Sequence, residues 1–341
     1  LIFAVMGAMA LADAGAEVFV FGHAEEVRPA VADALRQAGL TVFADPAPTR
    51  EEQLARDFLS CGLHLLLDDG SHLIRLAHEV EGALDHLIGA AEETTSGLRP
   101  LREWQQAGRL RIPVVASNDA RTKTLFDNAY GTGQSCLMTI LDLLDPGQHG
   151  WPLWDKQVVV AGYGDVGRGF AKLTAALGGR VAVAELDPVR ELQARMDGHR
   201  TGPLDALVTD ADLVVSATGV RHTITASQLA QMRQDTVVAV IGGVEQEVAM
   251  TDAEAAGARW VSDDVMALRS GRAVCILDRG NCINVTAGEG NPIEIMDLSF
   301  GVQVAAIRHL LNHRGLPPGV HSLPREADDA VARAALTTAT P

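Results

Sequence analysis

Lysine is nearly missing from this chain. Its 341 residues hold 28 Lys and Arg together, and only Lys123, Lys156 and Lys172 are lysine. Acidic residues number 44, giving a formal net charge of −16. No block of like charge interrupts the mixture, so there is neither the basic footprint that nucleic acid requires nor a cationic face for an anionic membrane. Cysteine is scarce too. Cys61, Cys136, Cys275 and Cys282 lie far apart and form no CxxC or zinc-ligand spacing with nearby histidines, which points to reduced thiols, a cytoplasmic setting and no metal site. The opening LIFAVMGAMALADAGA imitates a signal peptide, but no Lys or Arg precedes its apolar run and the run is too short to span a bilayer. It is read as a buried first helix closed at Gly15. Repeats of solenoid period are also lacking.

What is present is ordinary globular composition, 47% hydrophobic and 21% charged, in a chain long enough for two domains acting on small molecules. Helix and strand signals alternate from the start: a helix over 1–14, a strand over 17–21, a helix over 24–38, the strand TVFA, a helix over 50–60 and the strand LHLLLDDG. A helical stretch over 71–84 follows, then AAEETTSG, a helix through about 107, the strand IPVVASND and a helix carrying TKTLFDN. A second, cleaner series opens at QVVV and continues through RVAVAE, DLVVSATG, TVVAVIGG, ARWVSDD and AVCILD. Pro, Gly and Trp in LLDPGQHGWPLWD, 143–155, mark a linker between the two series. After about 292 the chain turns helical, with GVQVAAIRHLL buried and READDAVARAA more exposed.

The sharpest local signal is AGYGDVGRG, directly after a strand and opening a helix. Gly162 permits a tight turn, Gly164 lets the backbone approach a pyrophosphate, and Gly167 allows close packing, with Asp165 and Val166 completing the turn. A GxGxxG alone is weak evidence, but a carboxylate follows at the expected distance. Glu185 ends the strand RVAVAE, placed to accept hydrogen bonds from an adenosine ribose and to repel a 2′-phosphate, so the cofactor is read as NAD. The expected fold is α/β: a Rossmann-type NAD-binding domain over 131–292 and a second α/β substrate-binding domain over 1–130, completed by 293–341, with a cleft between them.

The stretch SNDARTKTLFDN raises a different question. Lys123 and Asp127 stand four apart, which on an α-helix puts ammonium and carboxylate on one face. Most such pairs are solvated and contribute a few tenths of a kcal/mol. Lys before Asp is the less favourable order for helix support, however, and a chain that avoids lysine keeps one here. Unlike arginine, a lysine is tuned by burial to give and take a proton.

The segments LDDG, EETTSG, NDARTKTLFDNAYG, VVVAGYGDVGRG and AELDP, together with the late PPGVHSLPREADDAVA, resemble S-adenosylhomocysteine hydrolase in order and spacing along nearly the whole chain. The resemblance implies a tightly held NAD, regenerated in each cycle, that oxidises a nucleoside 3′-hydroxyl. The C4′ hydrogen is thereby acidified and the 5′ substituent eliminated. It implies Lys123 and Asp127 for deprotonation and orientation of the 3′-hydroxyl, Glu93 for ribose contact and Asp69 for proton transfer near C4′ and C5′. Asn118, Asn128, Asn291 and Met296 fall at substrate positions. Thr94, Thr95 and Ser96 fall near the nicotinamide, and Asn128, Thr218, Ile241 and Asn284 at further cofactor positions. A homo-oligomer, tetramer or dimer, is implied as well.

The departures cluster at the far end of the reaction. Gly243 and Asn291 stand where the family has histidines, Thr132 where it has a cysteine, and Leu1 and Phe3 where adenine-recognising Thr and Glu belong. Imidazoles are the usual proton shuttles at neutral pH. Their loss leads to the expectation of a dehydratase or lyase like those of nucleoside-antibiotic pathways, which removes a 5′ hydroxyl as water. The alternatives are hydrolysis giving adenosine and homocysteine, and an idle NAD-binding regulator. Retention of Lys123, Asp127, Glu93 and Asp69 argues against the last.

Overall fold

The computed structural model describes residues 4–145 and 151–338. Leu1 and Phe3 lie outside the described residues, as does the middle of the expected linker. The chain divides into two compact units, one of residues 1–126 with 293–341 and one of residues 127–292.

In the first unit β1 (Phe19–Phe21) and β2 (Thr41–Phe43) form a parallel pair. The main sheet there uses β3 (Leu65–Asp68), β4 (Gly89–Glu92) and β5 (Pro113–Ala116), all parallel. Strand β4 was not expected, because Gly-Ala-Ala-Glu has none of the branched or aromatic residues that advertise a strand. Its smallness has a physical reason: a Cβ at Gly89 would lie 2.7 Å from Leu310 Cδ2 and 2.9 Å from the Pro113 carbonyl oxygen. All four of its residues are buried. The helix expected over 71–84 shrinks to His72–Ala77, after which the chain runs in turns.

The second unit carries β6 (Gln157–Ala161), β7 (Arg180–Ala184), β8 (Arg200–Thr201), β9 (Leu213–Ser216), β10 (Thr236–Val240), β11 (Arg259–Trp260), β12 (Val265–Ala267) and β13 (Ala273–Ile276). They form one sheet in the order β11-β12-β13-β10-β9-β6-β7-β8. Strands β6 to β10 and β13 are parallel, and β11 and β12 add an antiparallel edge. The run β8-β7-β6-β9-β10-β13 is the doubly wound order of a dinucleotide-binding domain, with the switch point between β6 and β9. Val158 and Val160 pack with Leu137, Phe170 and Leu213 on one face of this sheet. Val159 packs with Val214, Ile224, Leu229 and Met232 on the other. Both faces are covered, which is why these strands read as continuous Val-rich runs.

The chain then returns to the first unit. Helix Ile293–Asn312 buries Val302, Ala306 and Leu310 against Ala91 and Val115. β14 (Gly319–Ser322) pairs parallel with β5, completing the sheet order β14-β5-β4-β3. That strand was expected as part of a helical tail, being short and flanked by proline. READDAVARAA is helical, but Asp328 within it is buried rather than exposed. Among the described residues no helix is long and apolar enough to cross a membrane.

Candidate active site

In the second unit the turn after β6 meets the requirements read from its glycines. Gly162 has φ 95°, and a Cβ at Gly167 would stand 2.1 Å from the Gly162 carbonyl oxygen, so no larger residue fits. A Cβ at Gly164 would meet only Arg190 Nη1 at 3.6 Å, leaving that backbone open to a ligand. Helix Asp165–Ala176 starts there, and Val166 packs on the core. Glu185 follows β7. One carboxylate oxygen accepts from Tyr163 N at 2.6 Å and the other from Leu186 N at 2.7 Å and Asp187 N at 3.0 Å. An acidic side chain is thus held at the carboxyl end of the sheet, beside the glycine turn, as a nucleotide ribose requires.

On the other side of the switch point, Thr218 follows β9 and Ile241, buried, follows β10. Ile241 N donates to the Ser216 carbonyl oxygen at 2.8 Å, and Ser216 and Thr218 are both bound by a residue the sequence reading passed over. Glu247 is wholly buried and accepts hydrogen bonds from Ser216 Oγ, from Thr218 Oγ1 at 3.4 Å and from Val244 N at 3.2 Å. Burial pushes its carboxyl up to about 6 against these bonds. A Cβ at Gly242 would fall 2.2 Å from Glu247 Oε1. Gly243 is exposed with φ 78° and has open space where a Cβ would sit. The backbone conformation there, rather than crowding, is what favours glycine.

Asp127 and Asn128, both buried, belong to a nine-residue π-helix, Thr124–Thr132, in place of the α-helix expected. Nothing in TLFDNAYGT announces the wider turn, but π segments gather at functional sites. Asn291 reaches this segment from the end of the unit. Its Nδ2 donates to Asp127 Oδ1 and, at 3.1 Å, to Thr132 Oγ1. Its Oδ1 accepts from Ser135 Oγ at 2.7 Å and Asn284 Nδ2 at 3.2 Å. Two of the departures, Thr132 and Asn291, are therefore partners of each other and of the aspartate the motif singled out. Asn284 joins the same buried network.

The first unit holds the remaining candidates. Glu92, wholly buried at the end of β4, accepts from Gly70 N at 2.9 Å, Ser71 N at 2.8 Å, Thr94 N at 2.8 Å and Thr94 Oγ1 at 2.7 Å. One carboxylate thus fixes both the loop that presents exposed Asp69 and the loop of Glu93, Thr94, Thr95 and Ser96. Burial, followed by repulsion from Asp68 and Asp69, pushes its carboxyl well above the usual range. Thr94 caps helix Thr95–Gln106 through Gly97 N, and Ser96 Oγ donates to Thr94 Oγ1 at 3.2 Å. Asn118 Nδ2 donates to Thr95 Oγ1 at 3.1 Å. Gln303 Nε2 donates to Glu93 Oε2. Met296, on the same helix as Gln303, is buried.

Lys123 is 5% exposed and ends the short helix Arg121–Lys123. Asp328 holds that helix by its first turn, accepting from Arg121 N at 2.9 Å, Thr122 N at 3.1 Å and Thr122 Oγ1. Glu92 stood beside a residue already singled out, but the strand it ends gave no signal. Asp328, more than two hundred residues from its partners, had no local signal.

Comparison with known proteins shows what the chain is similar to. The family profile described as S-adenosyl-L-homocysteine hydrolase, NAD binding domain, matches residues 135–290. An adenosylhomocysteinase from Thermotoga maritima is 39% identical over 340 residues, covering 96% of this chain and 82% of that protein. An adenosylhomocysteinase from Archaeoglobus fulgidus is 37% identical, covering 95% and 80%. An S-inosyl-L-homocysteine hydrolase from Methanosarcina mazei is 40% identical, covering 79% and 65%.

Proposed function

Because the chain belongs to the S-adenosylhomocysteine hydrolase family, we propose that it hydrolyses an S-nucleosyl-L-homocysteine, adenosyl or inosyl, to the nucleoside and homocysteine. The observation that carries this reading is a set of buried polar groups, Lys123, Asp127 and Asn128, braced by Asp328 and Asn291 from distant parts of the chain. A fold gains little from burying such groups, whereas buried titratable groups gather where proton transfer is carried out.

The glycine turn with Asp165 and Val166, Glu185, Thr218 and Ile241 would hold the NAD, which supplies a hydride acceptor at the start of the cycle and a donor at its end. Lys123 takes the proton of the 3′-hydroxyl, and Asp127 orients that hydroxyl. Glu93, steadied by Gln303, accepts a hydrogen bond from a ribose hydroxyl. Asp69 moves the C4′ proton while the 5′ thiolate departs, and water then replaces the thiolate at C5′.

The dehydratase expectation gives way here, since the relatives carry hydrolase names. One observation keeps elimination without hydration as a second reading: Gly243 and Asn291 bring no imidazole to the step at which water adds. Incubation of the NAD-loaded protein with S-adenosylhomocysteine and with S-inosylhomocysteine separates the two. Hydrolysis releases a free thiol together with a saturated nucleoside. Free thiol with a 4′,5′-unsaturated nucleoside gives the elimination reading, and no thiol from either substrate would refute the hydrolase proposal.

A further inference from the structure

In the first unit, beside the loop that presents Asp69 but using none of the residues assigned above, three potential ligands from separate segments converge. His23 follows β1, Glu51 lies in the first turn of helix Pro48–Leu59, and His72 opens helix His72–Ala77. One nitrogen or oxygen from each lies within 4.8 Å of the other two. His23 Nδ1 is 2.9 Å from Glu51 Oε1, and the rings of His23 and His72 are 5.2 Å apart. All three residues are partly buried. Each follows the carboxyl end of a strand, β1, β2 or β3, which is where parallel α/β sheets place ligands.

We propose that His23, Glu51 and His72 form a binding site for a divalent first-row transition metal, with zinc as its natural occupant. Two imidazoles and one carboxylate are a three-ligand set that zinc takes with a fourth position left for water. Tetrahedral coordination at bond lengths of about 2.0–2.2 Å places ligand atoms about 3.3 Å apart. The pair His23 and Glu51 is already that close. The widest separation closes by about 1.5 Å, within the reach of imidazole side-chain rotation.

The surroundings support a cation. Glu51 Oε2 is held by Ala24 N at 2.8 Å, leaving Oε1 to face the imidazoles, as supporting hydrogen bonds orient carboxylate ligands elsewhere. Glu26 and Asp68 add negative charge near His23. Arg75 is the opposing cation near His72, and its Nε donates to the Ser71 carbonyl oxygen at 3.1 Å. Ser71 itself sits at φ 58°, ψ 17°, a left-handed conformation costly for a residue with a Cβ, and it directs the chain into His72. Bound metal would tie the loop after β1 to the loop that presents Asp69.

The test uses the full-length protein stripped with chelator and titrated with zinc, and separately with cobalt(II), by calorimetry and visible absorption. The expected result is one saturable site, with cobalt giving the d–d bands of a four-coordinate nitrogen and oxygen site and no thiolate charge-transfer band. His23→Gln and His72→Asn should each weaken binding at least tenfold. Full zinc affinity in both variants overturns the proposal, as does the lack of a saturable site in the unsubstituted protein. The cobalt spectrum needs no variant, so it decides the matter even where a substitution harms folding.

Discussion

A lysine in a chain nearly without lysine makes the clearest residue-scale claim. Lys123 is buried, and the backbone ahead of it is clamped by Asp328. In the proposed role its amine acts on the substrate rather than on the cofactor, so Lys123→Ala should lower turnover by about 10²–10⁴-fold, the usual range for a positioned acid or base. Bound NAD, assayed after denaturation, should stay at the level of the unsubstituted protein. Substrate-dependent absorbance of reduced nicotinamide at full rate in the variant would refute the role. Glu247 makes a second claim, about stability. Its folded-state value of about 6 exceeds the ordinary 4.5 because of burial. The folded protein therefore takes up a proton between about pH 4.5 and 6 that the unfolded chain does not. The resulting contribution is fully present below about pH 4.5 and is lost as pH rises through 6. The difference amounts to about 2 kcal/mol at most. Glu247→Gln should accordingly compare better with the unsubstituted protein at pH 7.5 than at pH 5, as read from urea midpoints. A difference independent of pH would show that Glu247 is ionised throughout.

At the scale of elements, the glycines of the second unit serve two separate ends. Gly169, inside the helix that follows the nucleotide turn, would bring a Cβ to within 1.8 Å of the Ala129 carbonyl oxygen. Gly133 would bring one to within 2.8 Å of Gly169 C. The π-helix bearing Asp127 and Asn128 thus rests backbone to backbone on the cofactor helix. Gly169→Ala should destabilise by about 1–3 kcal/mol through forced separation of the two segments. Gly164→Ala, with only the end of Arg190 nearby, should leave the apo protein within about 1 kcal/mol and chiefly weaken NAD. Equal melting of the Gly169 variant and the unsubstituted protein would contradict this packing. The same elements show what a sequence discloses. The Val-rich strands, the glycine turn and Glu185 were legible because period, turn chemistry and spacing are local. Strand β4 was not, since Gly89 and its alanines are chosen by what crosses above them. The π-helix was not, since nothing in TLFDNAYGT specifies the wider turn and its close contact with Gly169 is made only in the folded chain. Asp328, Gln303 and Asn291 act on residues more than one hundred and fifty positions away, a relation that only the folded chain reveals.

For the molecule as a whole, a formal charge of −16 works against an anionic cofactor, so attraction has to come from local dipoles. Helix Asp165–Ala176 supplies them at its start, where free backbone N–H groups and the helix dipole favour a pyrophosphate. In the proposed site Glu185 would set which dinucleotide is accepted, because a carboxylate held by three backbone N–H groups does not readily swing away from a 2′-phosphate. Ligand that binds only the folded state raises stability by about 2.7 kcal/mol at one hundred times its dissociation constant. NAD should therefore raise the melting temperature of the stripped protein by several degrees, and NADP at the same concentration by much less. Glu185→Gln keeps one acceptor oxygen for the loop but removes the charge, so it should narrow the gap between the two dinucleotides, mainly by weakening NAD. Because Glu185 also braces its own loop, melting of the ligand-free variant provides the baseline for each shift. Equal stabilisation of the unsubstituted protein by NAD and NADP would remove Glu185 as the discriminating group and leave the glycine turn as an anion site without preference.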